Sequence, residues 1–378
     1  MTRSDTIRRR GAGRNLRRDR RLIAASLVLA LGSAGLLGGQ LAFARPTPAP
    51  VVSASAPALA DGVLDLGFAG DTMFGDGSEE KLAVAGPLPL LAGVAPLLED
   101  FDYTIVNAEV PFTTVLTPAN PGAKYTYASD PAHLSALRAI GVDALNLGNN
   151  HAMDRGGEGL DDTIRHAENG GLAAFGAGAT RAAASMPLMV RSEQLDVAVV
   201  SFGEDFGALH RSTETSPGML PLRVDRVEQA MRTALDNGAD KVVAFVHWGN
   251  NYEDVNAQQR YWAGVFADAG YDAVIGTGSH TLQSVEVLGD MPVVYGIGNF
   301  VFGAPGRFEN YGKPGLGAVV GLRWNQSGVG TVALRVIETD NKIVDYVARP
   351  VPEAELSTAK SIIGNAVTWQ ADVATLRF

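Results

Sequence analysis

The sequence predicts an α/β fold, and two patterns support this prediction. Between residues 63 and 297, short apolar, β-prone runs alternate with helical stretches, as in proteins that layer helices on sheets. After Phe302 the pattern changes to β-prone segments that predict antiparallel strands. The sequence contains neither an internal repeat nor a glycine-rich phosphate-binding loop. Repeat, P-loop and dinucleotide-binding folds are therefore excluded.

The chain begins with a basic leader. Residues 1–21 contain nine arginines and two acidic residues, whereas the whole chain of 378 residues has a net charge of -10, so the remaining residues carry -17. Residues 22–44 are uncharged, mostly apolar and long enough to cross a bilayer as one helix, and they end in the Ala-x-Ala pattern of a signal-peptide cleavage site. We expect 1–21 to be a basic cytoplasmic n-region and 22–44 to be a signal anchor or a signal peptide, with the anchor slightly favoured. Either one would export the acidic body, which would be anchored to the cytoplasmic membrane or secreted.

The leader is followed by a segment of different composition. Residues 45–61 are rich in Pro, Ala and Ser, which predicts an extended, weakly structured tether. A folded domain is expected at 62–351, with a helical tail at 352–378. The hydrophobic content of 46% and charged content of 19% are typical of a globular protein rather than a disordered one.

The alternating pattern assigns the elements of the folded domain in order. Strands are predicted at 63–69, 103–107, 144–147, 197–202, 241–246, 273–275 and 293–297. Helices are predicted at 87–100, 131–140, 157–169, 224–237 and 256–269. The C-terminal part is predicted to form antiparallel strands at 317–324, 330–338 and 342–351, and a closing helix at 353–366.

Composition also excludes several functions. The chain has no cysteine, so disulfides, thiolate nucleophiles, iron–sulfur clusters and cysteine-bound zinc are ruled out. An acidic body with few lysines is a poor general binder of nucleic acid, because phosphate neutralisation needs clustered Lys and Arg. An anionic substrate would likewise need local cations.

Polar clusters follow the ends of the predicted strands. In parallel sheets these ends meet at one edge, where ligands bind. Their oxygen and imidazole donors suit Mn, Fe, Zn or Mg better than a soft metal. The candidates are Asp71, Asn107 with Glu109, Asn149 with Asn150, His151 and Asp154, His247, and Thr277 to His280.

Each cluster has a simpler structural interpretation. Asp71 could cap the following helix, Asn149 and Asn150 could form a turn, and a single histidine after a strand is commonly structural. Five such clusters in one structural context favour a site. The other histidines lack this context: His133 and His166 fall in predicted helices and His210 in a polar loop, so all three are interpreted as solvated or structural.

Several of these segments resemble a known family in order along the chain. They are GFAGDTMFGDG at 67–77, TIVNAEVPFT at 104–113, the segment 124–163 with its NNHAMDRGGEGLDDT motif, VAFVHWGNNY at 243–252, and the segment 273–303 with its YGIGNF motif. Over residues 63–305 the chain resembles the CapA family of poly-γ-glutamate capsule synthesis, in the calcineurin-like metallophosphoesterase superfamily. The resemblance implies a four-layer αββα sandwich with C-terminal antiparallel strands and a metal site at one rim.

The resemblance also implies roles for single residues. The metal ligands would be Asp71, Glu109, Asn150, His247 and His280, and they would hold one or two divalent ions of Mn, Fe or Zn. His151 would protonate a leaving group with the support of Asp154. Asn149 and Asn299 would support the ligands or contact the substrate.

The sequence departs from the family pattern at three places. The family's His-Pro-His motif reads Gly278-Ser279-His280, its HWGxE motif has Asn251 in place of the acid, and the superfamily's Asp-x-His motif reads Asp71-Thr72-Met73. The first two departures remove metal ligands, so a single ion, or a site without turnover, becomes an alternative to a binuclear centre.

Three functions are consistent with these observations. The first is a membrane-tethered factor in the synthesis, transfer or export of an anionic envelope polymer such as poly-γ-glutamate, working with a membrane-bound synthesis complex. The second is a metal-dependent phosphoesterase acting on a phosphorylated envelope substrate. The third is a non-catalytic binding or scaffold module. The incomplete last metal motif favours the first and third over the second.

Overall fold

The computed structural model describes the backbone of residues 52–55 and then residues 64–193, 195–325 and 328–378. The described residues all belong to one compact unit, Pro48–Phe378. The n-region at 1–21 and the anchor or signal peptide at 22–44 lie outside the described residues, so both remain predictions. Among the described helices, none has both the length and the apolar character needed to cross a membrane.

The described elements follow the predicted alternation of strands and helices. The strands are β1 Val52–Ser55, β2 Leu64–Thr72, β3 Tyr103–Ala108, β4 Ala144–Asn146, β5 Ala173–Phe175, β6 Ala177–Gly178, β7 Leu188–Arg191, β8 Val197–Gly203, β9 Gly218–Met219, β10 Lys241–His247, β11 Ala273–Thr277, β12 Val285–Leu288, β13 Met291–Val294, β14 Asn299–Val301, β15 Leu316–Trp324, β16 Gly330–Glu338, β17 Arg349–Pro350, β18 Thr368–Gln370 and β19 Val373–Arg377.

The α-helices are α1 Glu79–Ala85, α2 Leu88–Leu91, α3 Leu134–Ala139, α4 Gly156–Asn169, α5 Arg181–Ala184, α6 Val224–Asp236, α7 Ala257–Ala269, α8 Arg307–Tyr311, α9 Asn341–Val344 and α10 Ser357–Ile363. Short 3-10 turns cover Ala95–Leu97, Pro131–His133 and Glu353–Glu355.

Two large sheets form the centre of the fold. The first has the order β18-β19-β16-β15-β2-β3-β4-β5, with β14 beside β2 and β17 beside β16. Its strands β2 to β5 are parallel, and β15, β16, β19 and β18 continue it as antiparallel neighbours. The second has the order β1-β7-β8-β10-β11-β13-β12, with β8, β10, β11 and β13 parallel.

The two sheets pack face to face and carry helices on their outer faces. Phe68 of the first sheet and Phe245 of the second meet with ring centroids 5.3 Å apart, within a shared apolar core. Leu137 of α3 and Leu160 of α4 pack in a second core with the outer face of the first sheet. The residues of α6 and α7 form a third core with the second sheet. Burial of apolar area in these layers is the main stabilising term, and the predicted αββα sandwich is confirmed.

The three longer helices were predicted to within a residue at each end. Local signals explain their boundaries. Helix α7 begins with a capping box, in which the Asn256 side chain accepts from the Gln259 N–H and the Gln259 side chain accepts from the Asn256 N–H. It ends at Gly270, whose φ of 86° is readily adopted only by glycine.

Two predicted elements near the N-terminal side differ from the structure. The helix expected at 87–100 is broken into α2 and the 3-10 turn Ala95–Leu97, because proline within a helix removes an N–H donor and clashes with the preceding turn. The tether expected at 45–61 contains β1, which pairs in parallel with β7.

The C-terminal predictions need two corrections. The strand expected at 342–351 is replaced by α9, whose first turn is capped by the Asp340 side chain accepting from the Lys342 N–H at 3.0 Å, and by the two-residue β17. The tail at 352–378 was predicted to be helical, but α10 ends at Gly364 and the chain returns as β18 and β19. Strand β19 pairs with β16 because its alternate residues Ala374 and Leu376 enter the core between the sheets.

Candidate metal centre

The carboxyl ends of strands from both sheets meet at one rim. Asp71 lies at the end of β2, Glu109 follows β3, His247 ends β10, and His280 comes three residues after β11. The backbone N–H of Gly278 donates to both oxygens of Asp71, at 3.2 and 3.3 Å. This contact joins the end of β11 in one sheet to the end of β2 in the other, and so assembles the cluster from distant parts of the sequence.

Glu109 is the central group of the cluster. Its carboxylate is fully buried, and neither oxygen has a hydrogen-bond partner among the described residues. The Nε2 atoms of His247, His280 and His151 lie 3.5, 3.7 and 4.0 Å from Glu109 Oε1. These distances are too long for hydrogen bonds, and an unpaired buried carboxylate is strongly disfavoured. Such an arrangement suits a cation held between the carboxylate and the imidazoles.

The electrostatics of the two acids differ. Burial raises the pKa of Glu109 well above its usual range, and the negative charges of Asp71 and Asp154 add to this effect. Burial would also raise the pKa of Asp71, but contacts with His280, His247 and the Asn107 amide lower it below the ordinary value. Asp71 is therefore the ionised acid of the cluster, and a bound cation would favour ionisation of Glu109 as well.

Asp71 and His280 are held by directional contacts. The Asn107 amide donates to Asp71 Oδ1 at 2.8 Å, and His280 Nδ1 lies 3.1 Å from Asp71 Oδ2. His280 Nδ1 also lies 3.0 Å from Asn299 Oδ1. Because an amide oxygen can only accept, Nδ1 carries the proton and Nε2 is available as a ligand atom. His280 has φ +57°, an uncommon conformation for a residue other than glycine.

His247 is buried and neutral. Its Nδ1 contacts the Asn107 amide nitrogen at 3.1 Å and Thr277 Oγ1 at 3.3 Å, while Nε2 faces Glu109. Burial lowers the pKa of His247 to about 3, so the ring is unprotonated at neutral pH, which is the form that binds metals. Asp71, Glu109 and His280 each offer a ligand atom, and these atoms lie within 4.8 Å of one another. The residues thus fit a divalent metal.

His151 differs from the buried histidines because it is accessible. Its side chain is 14% exposed, and its Nδ1 lies 2.8 Å from Asp154 Oδ2. Asp154 is itself held by the backbone N–H of Tyr127 at 2.7 Å. The carboxylate orients the ring so that Nε2 faces the cluster, which is the geometry of a general acid or base with an orienting partner.

A network of amides supports the rim. Asn107 Oδ1 accepts from Asn146 at 3.1 Å and from Asn149 at 3.3 Å. Asn149 also donates to the carbonyl of Ala108 at 2.9 Å, and its own oxygen accepts from the His151 N–H. Asn149 therefore shapes the turn that presents its neighbours. The adjacent Asn150 has a buried Oδ1 with no partner among the described residues, which suits the predicted role of metal ligand.

No individual role was assigned from the sequence to three residues of this region. Asn107 is central to the amide network; its place at the end of β3, two residues before Glu109, was the signal available in the sequence. His210, interpreted as solvated or structural, is half-buried and lines a cavity of about 350 Å³ next to the cluster, together with Asn150, His151 and Asp154. Arg307 lines the same cavity, and no sequence pattern indicated it.

The remaining histidines are structural, as expected. His133 packs against Phe74 with ring centroids 5.3 Å apart and contacts Ser129. His166 lies one turn from Asp162, with Nε2 3.2 Å from its carboxylate. Neither belongs to the lining of the cavity.

The fold and the cluster together define the class of protein. Two packed sheets with helices outside, and acids, amides and histidines gathered at the strand ends, form a four-layer αββα fold with a candidate metal centre at one rim. The chain belongs to the family of the bacterial capsule synthesis protein PGA_cap, whose model matches residues 65–304.

Relatives support the same assignment. The chain is 30% identical over 244 residues to the PGA biosynthesis protein CapA of Bacillus subtilis, covering 64% of either chain. It is also 30% identical over 250 residues to the capsule biosynthesis protein CapA of Bacillus anthracis, covering 63% of this chain and 60% of that one. The match thus spans less than two thirds of either relative.

Among solved structures, the chain resembles a phosphatase of Mycoplasma pneumoniae with a TM-score of 0.47 and 12% identity, covering 75% of this chain and 96% of that one. The fold class follows from the two packed sheets of the chain itself.

Proposed function

We propose that this chain is an exported, membrane-tethered accessory protein that acts in the synthesis, transfer or export of an anionic envelope polymer such as poly-γ-glutamate. The family and the names of the two CapA relatives support the polymer. The leader at 1–44 supports export and tethering, and a membrane-bound synthesis complex is the proposed partner. Nucleic acid is not a proposed ligand.

The observation that carries a chemical role is the buried, unpartnered carboxylate of Glu109 facing three histidine Nε2 atoms. One or two divalent ions, Mn, Fe or Zn, would be held by Asp71, Glu109, Asn150, His247 and His280. A bound ion would supply Lewis acidity towards a carbonyl or phosphoryl oxygen and would lower the pKa of a water molecule.

The residues of the chain would deliver a proton, position the ligands and limit the access of water. His151, oriented by Asp154, would hold a proton at Nε2 and deliver it to the leaving oxygen of the polymer or its activated precursor. Asn107 and Asn299 would keep Asp71 and His280 in place. The surrounding apolar residues, including Phe206 and Phe302 of the cavity lining, would limit access of water to the reacting bond.

Elemental analysis of the purified full-length chain tests the metal centre. We expect at least one equivalent of Mn, Fe or Zn, and its loss when Asp71 and His280 are both replaced by alanine. In cells, His151→Ala should abolish the capsule or envelope polymer while the protein remains at normal abundance. A chain without metal whose His151→Ala variant supports normal polymer levels would instead be a scaffold.

A second candidate function is a phosphoesterase acting on a phosphorylated envelope substrate. The accessible His151–Asp154 pair favours it, because such a pair can protonate a leaving alkoxide. Metal-loaded protein that hydrolyses a phosphorylated lipid or glycan and loses this activity on His151→Ala, in a strain whose polymer level is unchanged, would support this function over the first.

A further inference from the structure

The cavity beside the cluster has a cationic, aromatic wall whose role is not assigned by the metal centre. Lys124, Tyr125, Tyr127 and Arg307 line the cavity together with His151. Lys124 and Arg307 are the permanent positive charges among the described lining residues. Arg307 lies beyond residues 65–304, so the match to the family model does not cover it.

Arg307 is held in a fixed orientation. Its Nη2 donates to Asp76 Oδ2 at 2.6 Å and to the Tyr127 hydroxyl at 3.3 Å, and its Cζ lies 4.6 Å from the centre of the Tyr125 ring. The side chain is 19% exposed. A guanidinium has five N–H donors, and both of these hydrogen bonds start from one nitrogen. Donors therefore remain for a ligand, and the side chain loses little freedom when it binds one.

Lys124 places a second cation beside the first. Its Nζ lies 4.9 Å from the centre of the same Tyr125 ring, and its side chain is exposed to solvent. Asp76 offsets the charge of Arg307, so Lys124 provides the surplus positive charge at this end of the cavity. Two cations around one aromatic ring match successive negative groups along a chain, and the ring offers an apolar surface to the segment between those groups.

We propose that Arg307 and Lys124 form an oxyanion-binding subsite that holds the repeating carboxylates or phosphates of the polymer next to the metal cluster. This inference rests on the proposed function and names the residues that select its substrate. A polyanion that approaches a domain of net negative charge is repelled unless cations are concentrated at the point of contact. Arg307 and Lys124 would provide these cations.

Binding of labelled oligomers to the full-length chain in detergent tests the proposal. The first probe is a fluorescent oligomer of γ-linked glutamate, which presents carboxylates, and the second is a linear polyphosphate. The variants are Arg307→Gln, Arg307→Lys and Lys124→Gln. Arg232→Gln is the matched control, because Arg232 is 64% exposed on α6 and is not part of the cavity lining.

We expect Arg307→Gln to weaken binding about tenfold or more and Lys124→Gln about threefold, with an effect below about twofold for the control. Arg307→Lys should give an intermediate loss, because it keeps the charge without the planar fork. Lys124 is exposed, so Lys124→Gln keeps the test valid if Arg307→Gln does not fold. The probe whose binding responds identifies the oxyanion as carboxylate or phosphate.

Two results would overturn the proposal, and they are distinguishable. If the unaltered chain binds an oligomer and all three variants bind as tightly as the control, the subsite is wrong and the polymer function stands. If the unaltered chain binds neither oligomer, the polymer function fails together with the subsite.

Discussion

A Cβ atom at Gly278 would lie 2.9 Å from the imidazole of His247. Gly278 also has φ +92°, a conformation that side-chain-bearing residues rarely adopt, and its N–H donates to Asp71. The family resemblance implies a histidine at this position. The ring of His247 occupies the space that a histidine side chain at 278 would enter. The position of the His247 ring is therefore compatible with glycine at 278 and not with the family histidine.

Restoring the family histidine should therefore not restore a second metal. We expect Gly278→His and Gly278→Ala to displace the His247 ring and to lower metal content, with a loss of about 1–3 kcal/mol in the free energy of unfolding. Elemental analysis and denaturant unfolding check this. Gly264→Ala is the control: it lies within α7 with no atom near the added Cβ, and it should stabilise the chain slightly. A Gly278→His variant with one more equivalent of metal would contradict the prediction.

Glu109→Gln should separate metal binding from stability. The buried carboxyl group has no partner among the described residues, and its raised pKa indicates that its charged form is disfavoured. We expect the variant to bind metal at least about tenfold more weakly. In the presence of a chelator its free energy of unfolding should be about 1 kcal/mol higher than that of the unaltered chain. Equal metal affinity in the two proteins would remove Glu109 from the centre.

Asp154→Asn should impair turnover without removing metal. The substitution keeps the shape of the side chain but loses the carboxylate that orients His151 at 2.8 Å. We expect activity on the polymer or the phosphorylated substrate to fall about 10- to 100-fold, with metal content unchanged. His151→Ala should give at least as large a loss, and the double variant should lose no more than His151→Ala alone, because the two residues act as a unit. Additive losses would show that Asp154 acts independently.

Asp162 should make stability depend on pH at the acid end. It is buried on α4 and accepts hydrogen bonds from Thr113 Oγ1 at 2.7 Å and the Thr114 N–H at 2.9 Å. Burial would raise the pKa of Asp162, but these hydrogen bonds lower it below its usual value. A lowered pKa means that the carboxylate stabilises the fold above about pH 4, the unfolded value, and that this contribution is lost as the pH falls through the folded value.

The variant Asp162→Asn measures this contribution. At neutral pH we expect a loss of about 1–3 kcal/mol in the free energy of unfolding. This loss shrinks as the pH falls below about 4 and through the lower folded value, because the unaltered residue then becomes protonated too. The neighbouring Asp161 is exposed, and Asp161→Asn should have little effect at any pH. A loss for Asp162→Asn that is constant between pH 3 and pH 7 would contradict this account.

The site residues that could be predicted from the sequence lie at the ends of strands. Asp71, Glu109, His151, His247 and His280 each follow an apolar run, and parallel strands bring such positions to one edge. Arg307 could not be found in this way. It starts the short helix α8, and it reaches the cavity because Asp76 and Tyr127, which are far away in the sequence, hold its side chain there.

The fold shows the same division between local and long-range effects. Helices α4, α6 and α7 have apolar stripes and termini that local sequence specifies, and they were predicted closely. The C-terminal strands β18 and β19 were predicted as a helix. Their runs of three and five residues are too short to distinguish strand from helix by periodicity. They become strands only because the open edge of β16 is available to pair with β19.

The sequence by itself determined the layered α/β class, the family and the set of donors at the strand ends, because hydrophobic periodicity and motif spacing are local properties of the chain. The tertiary structure decided the contacts between those donors. It placed the Gly278 N–H on Asp71, the ring of His247 where a longer side chain at 278 would stand, and Arg307 against Asp76 and Tyr127. Each of these contacts joins residues distant in sequence, whose approach depends on how strands pair and sheets pack and not on any local preference.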